Sequence, residues 1–155
     1  MYPLFLSLHS WLRWAILILG LIAVVRALGG RGGRPWSRSD DNIGKWYNIT
    51  LDVQFLIGIL LYVALSPITQ AAFADFGGAM RNAGLRFFAV EHLVGMLIAI
   101  ALAHLGRAKI RKASGDARRH QLAAMFYGLS LIILLASIPW PGMPAGRPLF
   151  RAFGF

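Results

Sequence analysis

"LRFFAVEHLVGMLIAIALAHLG" (Leu85–Gly106) is an almost continuous apolar stretch that nevertheless contains Glu91, His92 and His104. Its length is close to the ~20 residues that cross the hydrocarbon core of a bilayer. A stretch this long, without strict alternation of apolar and polar residues, is typical of a helix, because a membrane span must satisfy its own backbone hydrogen bonds. The stretch therefore predicts a transmembrane helix, and its carboxylate and two imidazoles need an explanation.

The composition of the whole chain also favours a membrane protein. Its 155 residues are 57% hydrophobic and 14% charged, whereas a soluble domain carries about a quarter charged residues. The chain contains no cysteine, so neither a disulfide frame nor a thiolate metal site is expected. The formal net charge is +10. Because the basic residues cluster between apolar stretches, this charge indicates membrane orientation and not nucleic-acid binding.

Four apolar stretches predict an all-α, integral membrane four-helix bundle that forms a single domain over residues 1–155. The first stretch lacks a basic segment before it and a small-residue cleavage motif after it, so we expect a retained span and not a signal peptide. We expect "SDDNIGKW" (39–46) to cap the second helix, the segment 66–86 to hold a short interfacial helix, and "IPWP" (138–141) to end the fourth helix. The spans are placed at about residues 10–28, 46–65, 87–106 and 121–138.

The basic residues also predict an orientation. Eleven of the sixteen Lys and Arg residues lie in or beside the first and third loops, and cytoplasmic loops carry the excess of these residues. We therefore expect these two loops to face the cytoplasm and both termini to lie on the outer side of the membrane.

Two histidines are predicted to lie at comparable depth near the outer side. Glu91 and His92 lie about five residues from the outer end of the third span, roughly 7 Å deep at 1.5 Å per residue. His9 lies at the outer end of the first helix, and Arg13 follows four residues later on the same helix face.

Ionisable groups inside a membrane are costly and indicate function, and three uses of this set remain open. In the first, His9 and His92 are the axial ligands of a haem, Arg13 binds a propionate and Glu91 tunes or orients the site. In the second, His9, Glu91 and His92 form a metal site or a proton path. In the third, all of these residues are structural: Glu91 pairs with Arg13, and the histidines hydrogen-bond neighbouring carbonyls. Arg13 otherwise serves as a snorkelling cation at a helix end.

A second set lies nearer the inner side. Asp52 and Gln54 follow the start of the second span, and His104 lies near the inner end of the third. Asp52 and His104 are expected to share a hydrogen bond, either on a proton path or with Asp52 orienting a liganding imidazole. His120, between basic residues in a loop, is expected to be solvated.

Four motifs occur in order along the chain: "HSWLRW", "LRFFAVEH", "LGRAK" and "IPWP". As a set, they resemble those of a family of small bacterial four-helix membrane proteins catalogued as cytochrome b-like. The resemblance implies membrane histidines at His9 and His92, with His104 as a further candidate, in a bacterial inner membrane. Family members often have histidine where this chain has Asp52, which favours one haem b over two.

The resulting hypothesis is a membrane electron-transfer protein with a b-type haem near the outer face. It would exchange electrons with a quinone or a partner redox protein, and would act as a carrier or subunit more than as a stand-alone enzyme. The alternative is a haem-free accessory subunit of a larger respiratory or photosynthetic membrane complex, which docks through its apolar helices and the tail "GRPLFRAFGF" (146–155).

Overall fold

The structure, a computed structural model, describes residues 1–150. Within these residues the chain is helical and contains no strand. Four of its helical segments are long and apolar enough to cross a membrane, as in a multi-pass membrane protein. The prediction of an all-α chain with four such helices is therefore confirmed. In chain order the helices are α1 (Tyr2–Gly30), α2 (Arg38–Leu60), α3 (Pro67–Ala74), α4 (Phe76–Arg81), α5 (Ala83–Arg86), α6 (His92–Lys112) and α7 (Asp116–Ala136).

Two π-helical turns extend the long helices. Leu61–Leu65 continues α2, and Phe87–Glu91 joins α5 to α6. The segment between these turns holds the three short helices α3 to α5, where the sequence predicted one. We call the end of the bundle near Tyr2 and Ala136 the terminal end. The opposite end, with the turns at 31–37 and 113–115, is the turn end.

The four long helices form a ring in the order α2, α1, α7, α6, and α2 and α6 contact each other least. Their core combines two fully buried tyrosines, Tyr47 and Tyr127, with small side chains of α6. The Tyr47 hydroxyl lies 2.9 Å from Ser130 Oγ, which donates to the carbonyl of Ala99 at 2.8 Å. This chain of hydrogen bonds links α2, α7 and α6, while large apolar side chains cover the outer surface of the ring.

All four long helical segments begin before the predicted spans, whereas α7 ends at Ala136, two residues before the predicted end of the fourth span. α2 begins after Ser37, whose side chain accepts from the Asp40 N–H at 3.3 Å while the Asp40 carboxylate accepts from the Ser37 N–H at 2.9 Å. This reciprocal pair is a capping box. The cap therefore lies two residues before the stretch in which the sequence placed it.

A cluster of charged groups holds the turn end together. The buried Asp40 carboxylate accepts from Arg26 at 2.9 Å and from Arg34 at 2.8 Å. The hydrogen bond to this carboxylate raises the pKa of the Arg34 guanidinium above its ordinary value. Nearby, Arg107 of α6 donates to both carboxylate oxygens of Asp41 at 3.1 Å, which ties α6 to the start of α2.

His120 is fully buried, so the prediction that it is solvated was wrong. Its ring packs against Trp36 with 4.9 Å between the ring centroids, and its Nε2 donates to the carbonyl of Arg34 at 3.1 Å. The ring lies against Gly30, where any Cβ would overlap it. The first turn therefore folds back over the start of α7 and covers a residue that the sequence placed in an exposed loop.

Candidate cofactor site in the cleft between the helices

A cleft opens in the terminal half of the bundle, between α1, α2 and α6. Including its open mouth, it contains about 1260 Å³ that protein atoms do not fill. Most of its wall is apolar, and the polar side chains that line it include His9, Arg13, Gln54, Tyr62, His92 and Arg147.

His9 and His92 meet in this cleft. Their ring centroids are 6.3 Å apart and their ring planes form an angle of 68°. A bond from a metal to an imidazole nitrogen is about 2 Å long, and the nitrogen lies about 1 Å from the ring centre, so two imidazoles on one metal place their centroids ~6 Å apart. The observed separation therefore fits two imidazoles that share one ion.

The orientation of His92 follows from the way α7 ends. In an α-helix the carbonyl of Ser137 would accept from the N–H of residue 141, but Pro141 has no N–H. His92 Nδ1 lies 2.8 Å from this carbonyl oxygen instead. Since a carbonyl only accepts, Nδ1 carries the proton, and Nε2 keeps the lone pair that a ligand to a metal needs.

The π turn before His92 contributes to the same arrangement. Turns of this kind widen a helix by one residue and occur frequently at functional sites. The carbonyl of Ala89, inside the turn, accepts from the Tyr62 hydroxyl at 2.7 Å, which links the turn to the end of α2. Phe87 and Phe88 lie beside the His92 ring, with centroid distances of 5.9 and 6.3 Å.

A hydrogen bond to its backbone holds His9 in place, and its side chain lines the cleft. Its carbonyl accepts from Gln54 Nε2 at 2.9 Å, so Gln54 positions the backbone of His9. Gly58 lies against the ring, and a Cβ at this position would be 3.1 Å from His9 Cε1. His9 Nδ1 is buried and has no hydrogen-bond partner within residues 1–150. A buried polar atom without a partner is uncommon and fits a site that a ligand completes.

Two arginines line the same cleft. Arg13 Nη2 donates to the carbonyl of Leu149 at 2.7 Å, while its buried Nε has no partner in the described part of the chain. Arg147 lies above Phe88, with 5.2 Å from its Cζ to the ring centroid. Guanidinium groups bind carboxylates through paired hydrogen bonds, so the cleft offers a cation for each of two carboxylates.

The sequence did not identify Arg147 as a site residue. It reaches the cleft because the segment after α7 folds back, with the Arg147 N–H donating to the carbonyl of Pro139 at 3.0 Å. Trp14 Nε1 donates to the carbonyl of Leu149 at 3.2 Å, and Phe150 stacks on the Trp14 ring at 5.4 Å. The signal for this position is the concentration of basic and aromatic residues in the tail, from which the sequence predicts a docking segment. Residues 151–155 of that tail lie outside the described residues.

Glu91 does not reach the cleft. It is exposed and accepts from Arg86 Nε at 2.7 Å, so neither the expected place beside the two histidines nor the alternative pair with Arg13 is formed. Successive residues on a helix differ by about 100° in direction. Because His92 faces the cleft, Glu91 faces the outside of the bundle.

Asp52 and His104 share the predicted hydrogen bond, with 2.7 Å between Asp52 Oδ1 and His104 Nε2. Both side chains are 49% exposed and do not line the cleft. Asp52 therefore orients His104, which is not near the two facing imidazoles, and this pair forms a separate feature on the surface between α2 and α6.

Comparisons of the chain with protein-family models, with curated proteins and with solved structures give no match. Within residues 1–150 no group of three or more His, Asp or Glu side chains is placed to hold a metal ion.

Proposed function

We propose that this chain is a membrane electron-transfer protein that binds one b-type haem between His9 and His92. The observation that carries the proposal is the 6.3 Å separation of the two imidazoles within one cleft. Two imidazoles are the number that a six-coordinate haem iron takes from its protein, because the porphyrin supplies the other four nitrogens. The resemblance of the four sequence motifs to cytochrome b-like proteins supports the same function.

Four residues that line the cleft would each contribute to holding the haem. His92, with its Nδ1–H donated to Ser137, presents a more basic Nε2 to the iron. Gly58 leaves room for the His9 ring itself, and Arg13 and Arg147 would provide charge for two propionates. When bound, the haem supplies one-electron chemistry, and the apolar wall of the cleft sets its potential by excluding water.

We further propose that the turn end faces the cytoplasm of a bacterial inner membrane and that the cleft lies near the outer face. The support is the concentration of Lys and Arg at the turn end. In this orientation the haem would exchange electrons with a quinone or with a partner redox protein at the outer half of the membrane.

A second candidate is a haem-free accessory subunit of a larger membrane complex. The observation that favours it is the exposed Asp52–His104 pair between α2 and α6, because a polar pair on the outside of a bundle indicates a protein neighbour.

The first prediction separates the two candidates. Protein purified from haem-replete cells should contain about one haem per chain, and its reduced-minus-oxidised spectrum should show b-type bands. His92→Leu should lose the haem while the helices still form, because leucine resembles histidine in bulk but cannot bind iron. Helix content is checked by circular dichroism.

The matched control is His104→Leu, which makes the same substitution on the same helix outside the cleft. It should keep the haem. A folded but colourless wild-type protein, or haem retained by His92→Leu, would contradict the haem proposal and favour the accessory subunit.

A further inference from the structure

Three residues on one face of the second long helix reach the cleft. Gln54 and Gly58 belong to α2. Tyr62 lies in the π turn that continues this helix. Successive members are four residues apart, so they fall close to one line along the helix, and all three line the cleft. We call these three residues the α2 stripe. Its members contact the two segments that carry the facing imidazoles.

The α2 stripe holds His9 at two points. Gln54 Nε2 donates to the carbonyl of His9 at 2.9 Å. Gly58 lies against the His9 ring, since a Cβ at this position would be 3.1 Å from His9 Cε1. Although His9 belongs to α1, its backbone and its ring are therefore both placed by contacts with α2.

The same stripe holds the turn that precedes His92. The Tyr62 hydroxyl donates to the carbonyl of Ala89 at 2.7 Å, and Ala89 is buried three residues before His92. In this π turn the His92 N–H donates to the carbonyl of Phe87, five residues earlier, and not to one four residues earlier as in an α-helix. A change to a regular α-helical turn would therefore rotate His92 by about 100° relative to the segment before it.

Tyr62 is itself held from the other side, by α3. The buried Thr69 hydroxyl donates to the carbonyl of Tyr62 at 2.8 Å. The Phe73 ring packs edge-on against the Tyr62 ring, with 5.4 Å between the ring centroids. The Tyr62 side chain therefore has a fixed direction, so its hydroxyl can define where the turn before His92 lies.

We propose that Tyr62 is a positioning residue that, together with Gln54, keeps His9 and His92 at the distance of two axial ligands. The inference rests on the proposed haem site, whose ligands must be held within about 0.5 Å of their working geometry. Among neighbouring long helices, α2 and α6 contact each other least, so the link through Tyr62 matters more here than in a close-packed pair. Tyr62 acts through the backbone of Ala89.

Two variants test this from the two sides of the site. Tyr62→Phe removes only the hydroxyl and should keep the helix content and about one haem per chain. A haem with two firmly bound imidazoles is low-spin, so the oxidised variant should show a high-spin EPR signal that the wild type lacks. Carbon monoxide should bind to the reduced variant roughly tenfold faster, because one hydrogen bond no longer holds the turn. Gln54→Met removes the donor to His9 and should cause the same two changes.

Tyr47→Phe is the matched control. It makes the same substitution on the same helix and removes a 2.9 Å hydrogen bond between Tyr47 and Ser130 outside the cleft. It should keep the low-spin spectrum and the wild-type rate of carbon monoxide binding. The same changes in this control would show that any loosening of the bundle causes them, and would overturn the proposal. A wild-type spectrum and rate in Tyr62→Phe at full haem content would overturn it as well.

A measurement without haem separates this inference from the proposed function. In haem-free protein, amide hydrogen exchange within Phe87–Glu91 should be faster in Tyr62→Phe than in the wild type, and unchanged in Tyr47→Phe. If the wild type binds no haem, the haem proposal fails, and this measurement still decides whether Tyr62 holds the turn before His92. Equal exchange in the wild type and in Tyr62→Phe would overturn the role of Tyr62.

Discussion

Gly58 and Gly128 both lie near the middle of a span, yet the structure gives them different surroundings. Gly58 lines the cleft, and a Cβ there would be 3.1 Å from His9. A Cβ at Gly128 would meet nothing within 4 Å. Gly20 shows a third situation, since a Cβ there would be 2.9 Å from the Tyr47 ring. Mid-span glycines therefore make room for the Tyr47 ring at one position and for the His9 ring at another.

The second prediction uses this difference. Gly58→Leu should fill the cleft beside His9 and displace its ring, so that the purified protein contains little haem. Gly128→Leu places the same side chain in open space and should keep the haem of the wild type. Pigment absorbance at equal protein concentration measures both. Equal haem content in the two variants would show that the cleft beside Gly58 is not the binding site.

Arg147 provides the third prediction, also at the scale of one residue. Arg147→Gln removes a charge from the cleft and should cost about 1.5 kcal/mol of haem binding free energy, which is roughly a tenfold increase in Kd. Haem titration of the apoprotein measures this. Arg81→Gln, an exposed arginine on α4, is the control and should leave Kd unchanged. An unchanged Kd for Arg147→Gln would mean that no carboxylate of the ligand meets this side chain.

At the scale of the helices, the ends are determined by side chains that satisfy free backbone groups. Pro139 and Pro141 leave the carbonyls of Leu135 and Ser137 without helical donors. Trp140 Nε1 donates to the first at 2.8 Å and His92 Nδ1 to the second at 2.8 Å. The prolines that end α7 therefore also free the Ser137 carbonyl that orients His92, a candidate haem ligand.

The fourth prediction concerns the start of α2. Ser37→Ala removes the side-chain acceptor of the capping box and should lower the free energy of unfolding by about 1 kcal/mol. Ser39→Ala, two residues later and exposed, should change it by less than about 0.5 kcal/mol. Reversible unfolding in detergent micelles measures the difference. A larger effect from Ser39→Ala would move the cap to the position that the sequence first suggested.

At the scale of the whole molecule, the proposed orientation determines which side of the membrane the cleft serves. The fifth prediction is that a reporter enzyme fused after Phe155 is active only in the periplasm, because the proposed orientation keeps the basic turn end in the cytoplasm. The same reporter inserted in the turn at 31–37 should be active only in the cytoplasm. The reverse result would place His9 and His92 near the inner face.

The sequence by itself determined the number of long apolar helices, their antiparallel order and the level of their polar residues along the bundle. This level follows from counting residues at 1.5 Å each along a helix of known direction. The positions of His9 and His92 were therefore predicted on two helices at one level, and the structure brings them together. The hydrogen bond between Asp52 and His104 followed from the same counting.

Only the tertiary structure decided how each helix is rotated and where the ends of the chain go. Helices that are apolar on every side lack the polar face that would show which residues point inward, so the outward direction of Glu91 was not predictable. The positions of His120 and Arg147 are set by two segments that fold back over the bundle, one at the turn end and one at the terminal end. Their positions result from contacts between residues distant in sequence, such as His120 with Arg34 and Arg147 with Phe88, and local patterns do not encode such contacts.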